Sequence, residues 1–314
     1  MSQSVQTFST AGGSTSTAAP TGSKTVRRQA WGPGGNGANS GTLGRGGGGG
    51  GAYSEDTVST SDGEQFAIAV GDHGNENQTI IQREIGVDPT VVADGGFNGS
   101  TTTGGSGGLT ANCIGSITQA GGNGGPASAT NGGGGGASAG PLAPGGNASG
   151  TTGGTAPTGG NNGGAGATLT TGFAGTGYGA GGGGGHGSSA SGAGIAGKAI
   201  LTFFVASLPP SGLTATAISK TEIDLAWTDN SSDETGFNVQ RATDSGFTQN
   251  VTNTLVAANS TSYADTGLTP GTTYYYQVLA RNADADSAYC TPANAKTNSA
   301  PSGSAAVLML LGII

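Results

Sequence analysis

From Gly95 to Gly197 the chain runs for 103 residues without an Asp, Glu, Lys or Arg, and 38 of the 93 residues from Gly95 to Gly187 are glycine. No conventional hydrophobic core forms from such a stretch. Ordering a backbone costs roughly 1–2 kcal/mol per residue, and glycine has the most freedom to lose. The large apolar residues present (Phe97, Leu109, Ile114, Ile117, Leu142, Leu169, Phe173, Tyr178) are too sparse to offset that by burial. Two states remain: a flexible spacer, or a lattice of extended glycine rods held by backbone hydrogen bonds.

The spacing favours the lattice. Every third position from Gly160 to Gly187 carries eight glycines in ten, against four in nine and two in nine for the other phases. Gly96, Gly99, Thr102, Gly105 and Gly108 give four in five. A polyproline-II helix has three residues per turn and no internal hydrogen bonds, so a glycine edge admits a neighbouring rod that supplies them. The phase breaks between pieces, which excludes collagen's strict repeat. The expectation is a set of short polyglycine-II rods over about 95–187, joined by turns, within an insertion spanning about 72–197.

Strand patterns flank this segment. Residues 4–31 read as two strands, the second carrying Val26 and Arg28 on one face and Thr25 and Arg27 on the other. Glu55–Thr60 and Glu64–Gly71 read as a hairpin, with Phe66, Ile68 and Val70 alternating on a half-buried face. The stretch Asn75–Asp94, with Ile80, Ile81, Ile85, Val87, Val91 and Val92, predicts an extra hairpin, and Lys198–Val205 a strongly apolar strand. After Pro209-Pro210 the pattern changes. Ile223, Leu225 and Trp227 alternate, as do Phe237 and Val239, then Tyr274, Tyr276, Val278 and Ala280, which predicts an antiparallel sandwich of short strands. The fold class is therefore all-β: a small sandwich with a long glycine-rich insertion over 1–206, a second sandwich over 207–297, and a spacer with an apolar tail over 298–314.

Two resemblances follow from these residues. Thr25-Val26-Arg27-Arg28-Gln29-Ala30-Trp31-Gly32-Pro33-Gly34-Gly35-Asn36-Gly37, then Gly46–Tyr53, Phe66–Gly71 and Gly197–Phe204, resemble in order and spacing the glycine-rich domain of phage tail-fibre and adhesin proteins, over about 5–205. That resemblance implies a virion protein on the particle exterior that contacts the host surface, a glycan or an outer-membrane protein. Leu268-Thr269-Pro270-Gly271-Thr272-Thr273-Tyr274, with Trp227, Asp229-Asn230-Ser231 and Gly236-Phe237, resembles a fibronectin type III domain over 207–297. It implies Tyr274 as corner residue and Trp227 as central core aromatic.

Composition bounds the chemistry. The net charge is −8, only 9% of the 314 residues are charged and the basic ones are scattered apart from Lys24, Arg27 and Arg28, so no nucleic-acid partner is expected. No motif points to catalysis, a metal or a cofactor: GxGxxG recurs as any glycine-rich chain generates it, and His73 and His186 lack ligand spacing. Asp229, Asp233 and Glu234 fall in a loop that reads as solvated rather than as a calcium site. Cys113 and Cys290 fall in different domains and are expected as reduced thiols. The N-terminus shows no basic and apolar leader, from which cytosolic synthesis and release by lysis are expected. Phe97, Phe173, Tyr178 and His186 are the candidate receptor contacts at rod ends. Val307, Leu308, Leu310, Leu311, Ile313 and Ile314 are the candidate docking residues, expected to anchor the chain to other virion proteins or to a symmetric copy in a homo-oligomer. An exported bacterial surface or matrix protein is the alternative.

Overall fold

The computed structural model describes residues 3–38, 43–74, 77–84, 90–168, 170–283 and 286–299. The chain divides into two compact units, the boundary falling between Phe203 and Phe204. It is all-β, as its patterns predict: among the described residues the only helical turn is the short 3-10 segment Thr110–Asn112.

The first unit is founded on a two-sheet sandwich. Strands β1 (Gln3–Phe8), β2 (Ser14–Ala18), β3 (Ser23–Trp31), β4 (Tyr53–Ser59), β5 (Gln65–Ala69), β6 (Thr79–Arg83), β7 (Val91–Ala93), β8 (Ile117–Gln119) and β9 (Lys198–Val205) form it. One sheet has the order β1-β9-β3-β4-β8 and the other β2-β5-β6-β7. Alternation puts Val26 and Ala30 of β3, Phe66 and Ile68 of β5, and Ala199, Leu201 and Phe203 of β9 into one core, with Phe66 and Phe203 edge to face at 5.8 Å. Arg28 obeys the same alternation and is fully buried. Its cross-strand partner Asp56 answers the charge, with Nε to Oδ1 at 2.9 Å and Nη2 to Oδ2 at 2.7 Å. Asp56→Asn removes the charge and one acceptor from that bidentate pair. We expect it to lower stability by about 1.5–3 kcal/mol, read from the urea midpoint.

Three local expectations are revised. Residues 4–31 hold three strands, because β2 is a run of Ser and Thr with only Ala18 at its end and no alternating apolar residues to reveal it. β4 and β5 are not a hairpin: β4 pairs with β3 and β8, β5 with β2 and β6, and the connection crosses between sheets. Alternation shows that a strand has a buried face but not which sheet supplies it. β6 and β7 do pair as the expected hairpin, within the sandwich rather than beside it; Ile85 and Val87 lie outside the described residues.

Beyond the sandwich, the strands continue as glycine rods. β3 runs into 32–38, 44–52 runs into β4, β7 runs into 94–99, β8 runs into 120–125 and 190–197 runs into β9. The rods therefore occupy more of the chain than 95–187. Their hydrogen bonds have a period of three. Gly46 and Gly49 donate to the carbonyls of Ser100 and Phe97, Gly47 and Gly50 to those of Gly125 and Gly122, and Gly48 and Gly51 to those of Gly182 and Gly179, at 2.7–3.1 Å. The same rod accepts from Gly35 and Ala38, from Gly105 and Gly108, and from Gly136 and Ala139. It thus has six neighbours, the number a threefold rod packs in a hexagonal array.

The register defines the whole bundle. Rods 44–52, 132–139 and 180–185 touch one another and are each ringed by six neighbours. The outer ring, in spatial order, is 32–38, 94–99, 104–108, 121–125, 145–148, 153–155, 160–167, 172–175 and 190–196. Three inner rods and a closed shell of nine outer rods complete the lattice among the described residues. The regular series from Gly160 to Gly187 is three rods with two intervening turns, not one rod. A Cβ on Gly163, Gly166 or Gly172 would stand less than 3.0 Å from a neighbouring backbone carbonyl, and one on Gly175 would meet Ala180.

Asparagine closes the perimeter. The Oδ1 atoms of Asn36, Asn98, Asn123, Asn147 and Asn162 accept from the backbone N–H of Gly194, Asn36, Gly107, Asn123 and Ala156, at 2.6–2.8 Å. Each amide stands where the carbonyl of a further rod would have been. Asn123→Ala leaves Gly107 N–H without its partner, and we expect a loss of about 0.5–1.5 kcal/mol, read as a lowered melting temperature.

The second unit is an antiparallel sandwich. β10 (Ser211–Ala217), β11 (Glu222–Thr228) and β14 (Ser262–Thr266) form one sheet; β13 (Thr252–Ala257), β12 (Gly236–Ala242), β15 (Thr273–Arg281) and β16 (Ala293–Lys296), in that order, form the other. Inward residues Ile223, Leu225 and Trp227 of β11 meet Phe237, Val239, Tyr276 and Val278 of the facing sheet. The Tyr274 hydroxyl accepts the Thr269 N–H at 3.0 Å, tying the start of β15 back to the preceding turn. Tyr276 donates to Asp265 at 2.9 Å, and Arg241 pairs with the same carboxylate at 3.0 Å. Burial, then the Asp265 charge, push the Tyr276 phenol far above its ordinary range. The neutral phenol is the form the fold favours. Its contribution is complete below the unfolded value of about 10 and is lost as pH rises past it. We expect this unit to lose stability progressively in alkali, and Tyr276→Phe to flatten that limb of the profile.

Candidate functional site

Chain direction alternates from rod to rod, so the turns gather at two ends. The end next to the sandwich holds the turns 140–143, 157–160 and 176–179. Trp31 packs there against Tyr53 at 4.8 Å and Tyr178 at 5.4 Å, donates from Nε1 to the Gly159 carbonyl at 3.1 Å, and lies with Tyr178 under the Lys198 ammonium. This aromatic layer joins sandwich to lattice.

The far end holds the turns 100–103, 126–131, 149–152 and 186–190, and with them residues 168, 170 and 171. Most of their described side chains are Ser, Thr or Asn. Ser100 fixes the first turn by accepting the N–H groups of Thr102 and Thr103, and Ser128 fixes the second by accepting that of Asn131 at 3.0 Å. Gly150 and Gly187 adopt φ of +55° and +58°, which a side chain would strain. Buried Arg45 ties the last turn down by donating to the carbonyls of Gly187 and Ser189. The loops are short, polar and anchored on a rigid base.

The structure does not bring the four candidate contacts together. Tyr178 lies in the aromatic layer at the sandwich end, and His186 at the far end, where it bridges to Gly44. The rod 180–185 lies between them, and the eight residue steps from 178 to 186 span about 25 Å at 3.1 Å per residue. Phe97 and Phe173 lie along rod flanks rather than at rod ends, because their carbonyls are spent on Gly49 and Gly183. Phe173 is 63% exposed, on a flank with Ala165, Ala174 and Ala193. The end turns themselves escaped the sequence reading, although Ser-Thr-Thr-Thr, Ser-Ala-Thr-Asn and Ser-Gly-Thr-Thr each follow a glycine rod. Val307, Leu308, Leu310, Leu311, Ile313 and Ile314 lie outside the described residues.

The carboxylates singled out in the second unit are internally engaged. Glu234 accepts from Ser231 at 2.7 Å and the Asn259 N–H at 3.0 Å, Asp229 from the Ser231 N–H at 3.0 Å, and Asp233 from Ser207 at 3.0 Å. Among the described residues no group of three His, Cys, Asp or Glu is placed to hold a metal, and no helix is long and apolar enough to cross a membrane. Cys113 and Cys290 are free thiols, and burial raises the pKa of both. Raised values mean little thiolate at neutral pH and low nucleophilicity.

Seven short antiparallel strands, a three-plus-four sheet division, a central tryptophan and a tyrosine corner define the second unit as a β-sandwich of the immunoglobulin-like class. The family model for the fibronectin type III domain matches residues 208–296, and this segment is such a domain. It is similar to an Fn3-like protein from Clostridium thermocellum, at 30% identity over 31% of this chain and 99% of that one, with a TM-score of 0.26. It is also similar to the FN5 domain of Drosophila Lar, at 22% identity over 30% and 99%, TM-score 0.27. An fn3 domain of human contactin 1 matches at 19% over 31% and 83%, TM-score 0.29. No curated protein compared with the chain matches it.

Proposed function

We propose that this chain is a non-enzymatic structural protein of a bacteriophage virion, a tail fibre, tail-tip adhesin or exterior decoration, that touches the host surface with the far end of its glycine bundle. The observation that carries this reading is the construction of that end. A polyglycine-II lattice of three inner and nine outer rods is a stiff platform, and what it holds out is a cluster of short turns that play no part in its core. Surface loops positioned by a rigid scaffold are the usual place for recognition. The resemblance of residues 5–205 to phage tail-fibre glycine-rich domains supports the same reading. The fibronectin type III unit serves as a spacer, and the apolar residues 305–314 as the attachment to other virion proteins or to a second copy.

The test is mass spectrometry of purified particles from the source together with adsorption of the purified full chain to envelopes of the host. Peptides from both halves in the particles, with saturable adsorption, is the expected outcome. A second reading, an exported surface or matrix protein of a bacterium, draws on the fibronectin type III domain at 208–296. It predicts the chain in the surface fraction of uninfected cells and none in particles.

A further inference from the structure

Between two turns at the far end of the bundle, 126–131 and 149–152, lies a cavity of about 400 Å³, lined by Ser128, Asn131, Gly132, Ser149, Gly150 and Thr151 with Pro126 at its edge. That volume falls within the range of about 300–1,000 Å³ of sites that hold small ligands. Its walls are set apart by what they leave unused. Between Gly95 and Gly197, Asn98, Asn112, Asn123, Asn147, Asn161 and Asn162 all spend their side-chain amides on internal hydrogen bonds. Asn131 is the exception among the described residues. Its backbone N–H is held by Ser128, but its amide makes no internal bond, nor do the hydroxyls of Ser149 and Thr151 across the cavity. The one unspent asparagine amide of the segment and two unbonded hydroxyls thus line the same space.

We propose that this cavity binds a neutral, hydroxyl-rich sugar, with Asn131, Ser149 and Thr151 as its hydrogen-bonding residues. The proposal rests on the reading of the far end as a host-contact surface and names the chemistry of that contact. An amide supplies two donors and an acceptor, and each hydroxyl supplies both roles, which matches the paired hydroxyls of a pyranose. No ionisable side chain lines the cavity. A sialylated, sulfated or phosphorylated ligand would therefore surrender hydration without a counter-charge. Gly150, where a side chain would stand in open space, lets the ligand come close to the backbone. No aromatic ring lines the site, so stacking is absent and affinity per site is low; several copies on one particle raise it by avidity.

The experiment uses the full chain on an array of neutral gluco-, galacto- and manno-configured oligosaccharides, with sialylated and sulfated oligosaccharides as the anionic arm. Asn131→Ala and Thr151→Val are compared with Thr158→Ala, a turn residue at the opposite end, and melting temperature checks folding. Retention of neutral sugars is expected to fall about tenfold in the first two variants, the scale of one lost hydrogen bond, and to stay unchanged in the third. Binding confined to anionic sugars, no binding, or equal retention by all variants overturns the proposal. Adsorption to host envelopes without sugar retention overturns the sugar site and leaves host attachment standing. Sugar retention without adsorption sustains the site and overturns attachment.

Discussion

A single methyl group at Gly48 is expected to unfold the glycine lattice. Gly48 lies in an inner rod, donates to the Gly182 carbonyl and accepts from the Gly136 N–H, both at 2.8 Å. An alanine Cβ there would stand less than 3.0 Å from the Gly35 carbonyl, which is backbone and has no rotamer to yield. The rod 32–38 is itself pinned to 44–52, 94–99 and 190–196. Relief therefore comes only by spreading rods and breaking their bonds. Three or four lost bonds cost about 2–6 kcal/mol, and the overpacking adds about 1–3 kcal/mol. Small domains hold about 5–15 kcal/mol in all. Gly48→Ala should abolish amide protection across the rods, while Ser106→Ala, on an exposed outer position, should change stability by under about 0.5 kcal/mol. Soluble Gly48→Ala with native protection of the rods would refute the lattice.

Much of this lattice was legible in the sequence, and more than the period of three conveyed. The chain contains three runs of five or more glycines, Gly46–Gly51, Gly132–Gly136 and Gly181–Gly185. They are the three inner rods. A rod with six neighbours has little room for a side chain on any edge, so glycine fills every phase along its length until small residues end it, as Ala137, Ser138 and Ala139 end the second. A rod on the perimeter has one free phase, and there the sequence shows Gly-Gly-Ser at 104–106 or Gly-Gly-Asn at 121–123 and 145–147. Run length thus reports depth in the bundle, and the residue in the third phase reports how the edge is closed. What sequence did not convey is which rod neighbours which, because glycine carries no side chain to distinguish partners. Phe97 and Phe173 drew attention as large residues in a small-residue segment, yet size alone does not separate a flank from an end. The candidate cavity was hidden for the opposite reason: Asn131, Ser149 and Thr151 look like ordinary turn residues until the surrounding asparagines are seen to be occupied.

The fibronectin type III unit was the more readable half, since alternation and the Leu268–Tyr274 run place both of its central aromatics, and it supports the second large effect. Trp227 is 5% exposed and packs on Phe237 at 5.7 Å; Tyr274 is 7% exposed and lies in the same core with Leu268, Tyr276 and Val278. Removing either side chain leaves a cavity that the rigid sheets do not close, at about 3–5 kcal/mol. That approaches the whole stability of a domain of this size. Trp227→Ala is therefore expected to unfold residues 208–296. The rods do not depend on that core: their hydrogen bonds run from rod to rod within the first unit. Tyr274→Phe separates packing from the corner bond, because it keeps the ring and deletes only the acceptor of the Thr269 N–H, for about 0.5–1.5 kcal/mol. Hydrogen exchange resolved by domain makes the comparison. Protection lost over 208–296 and kept over the rods in Trp227→Ala, with a small uniform loss confined to the second unit in Tyr274→Phe, is the expected pattern. Loss in both units from either variant would mean that the two fold as one.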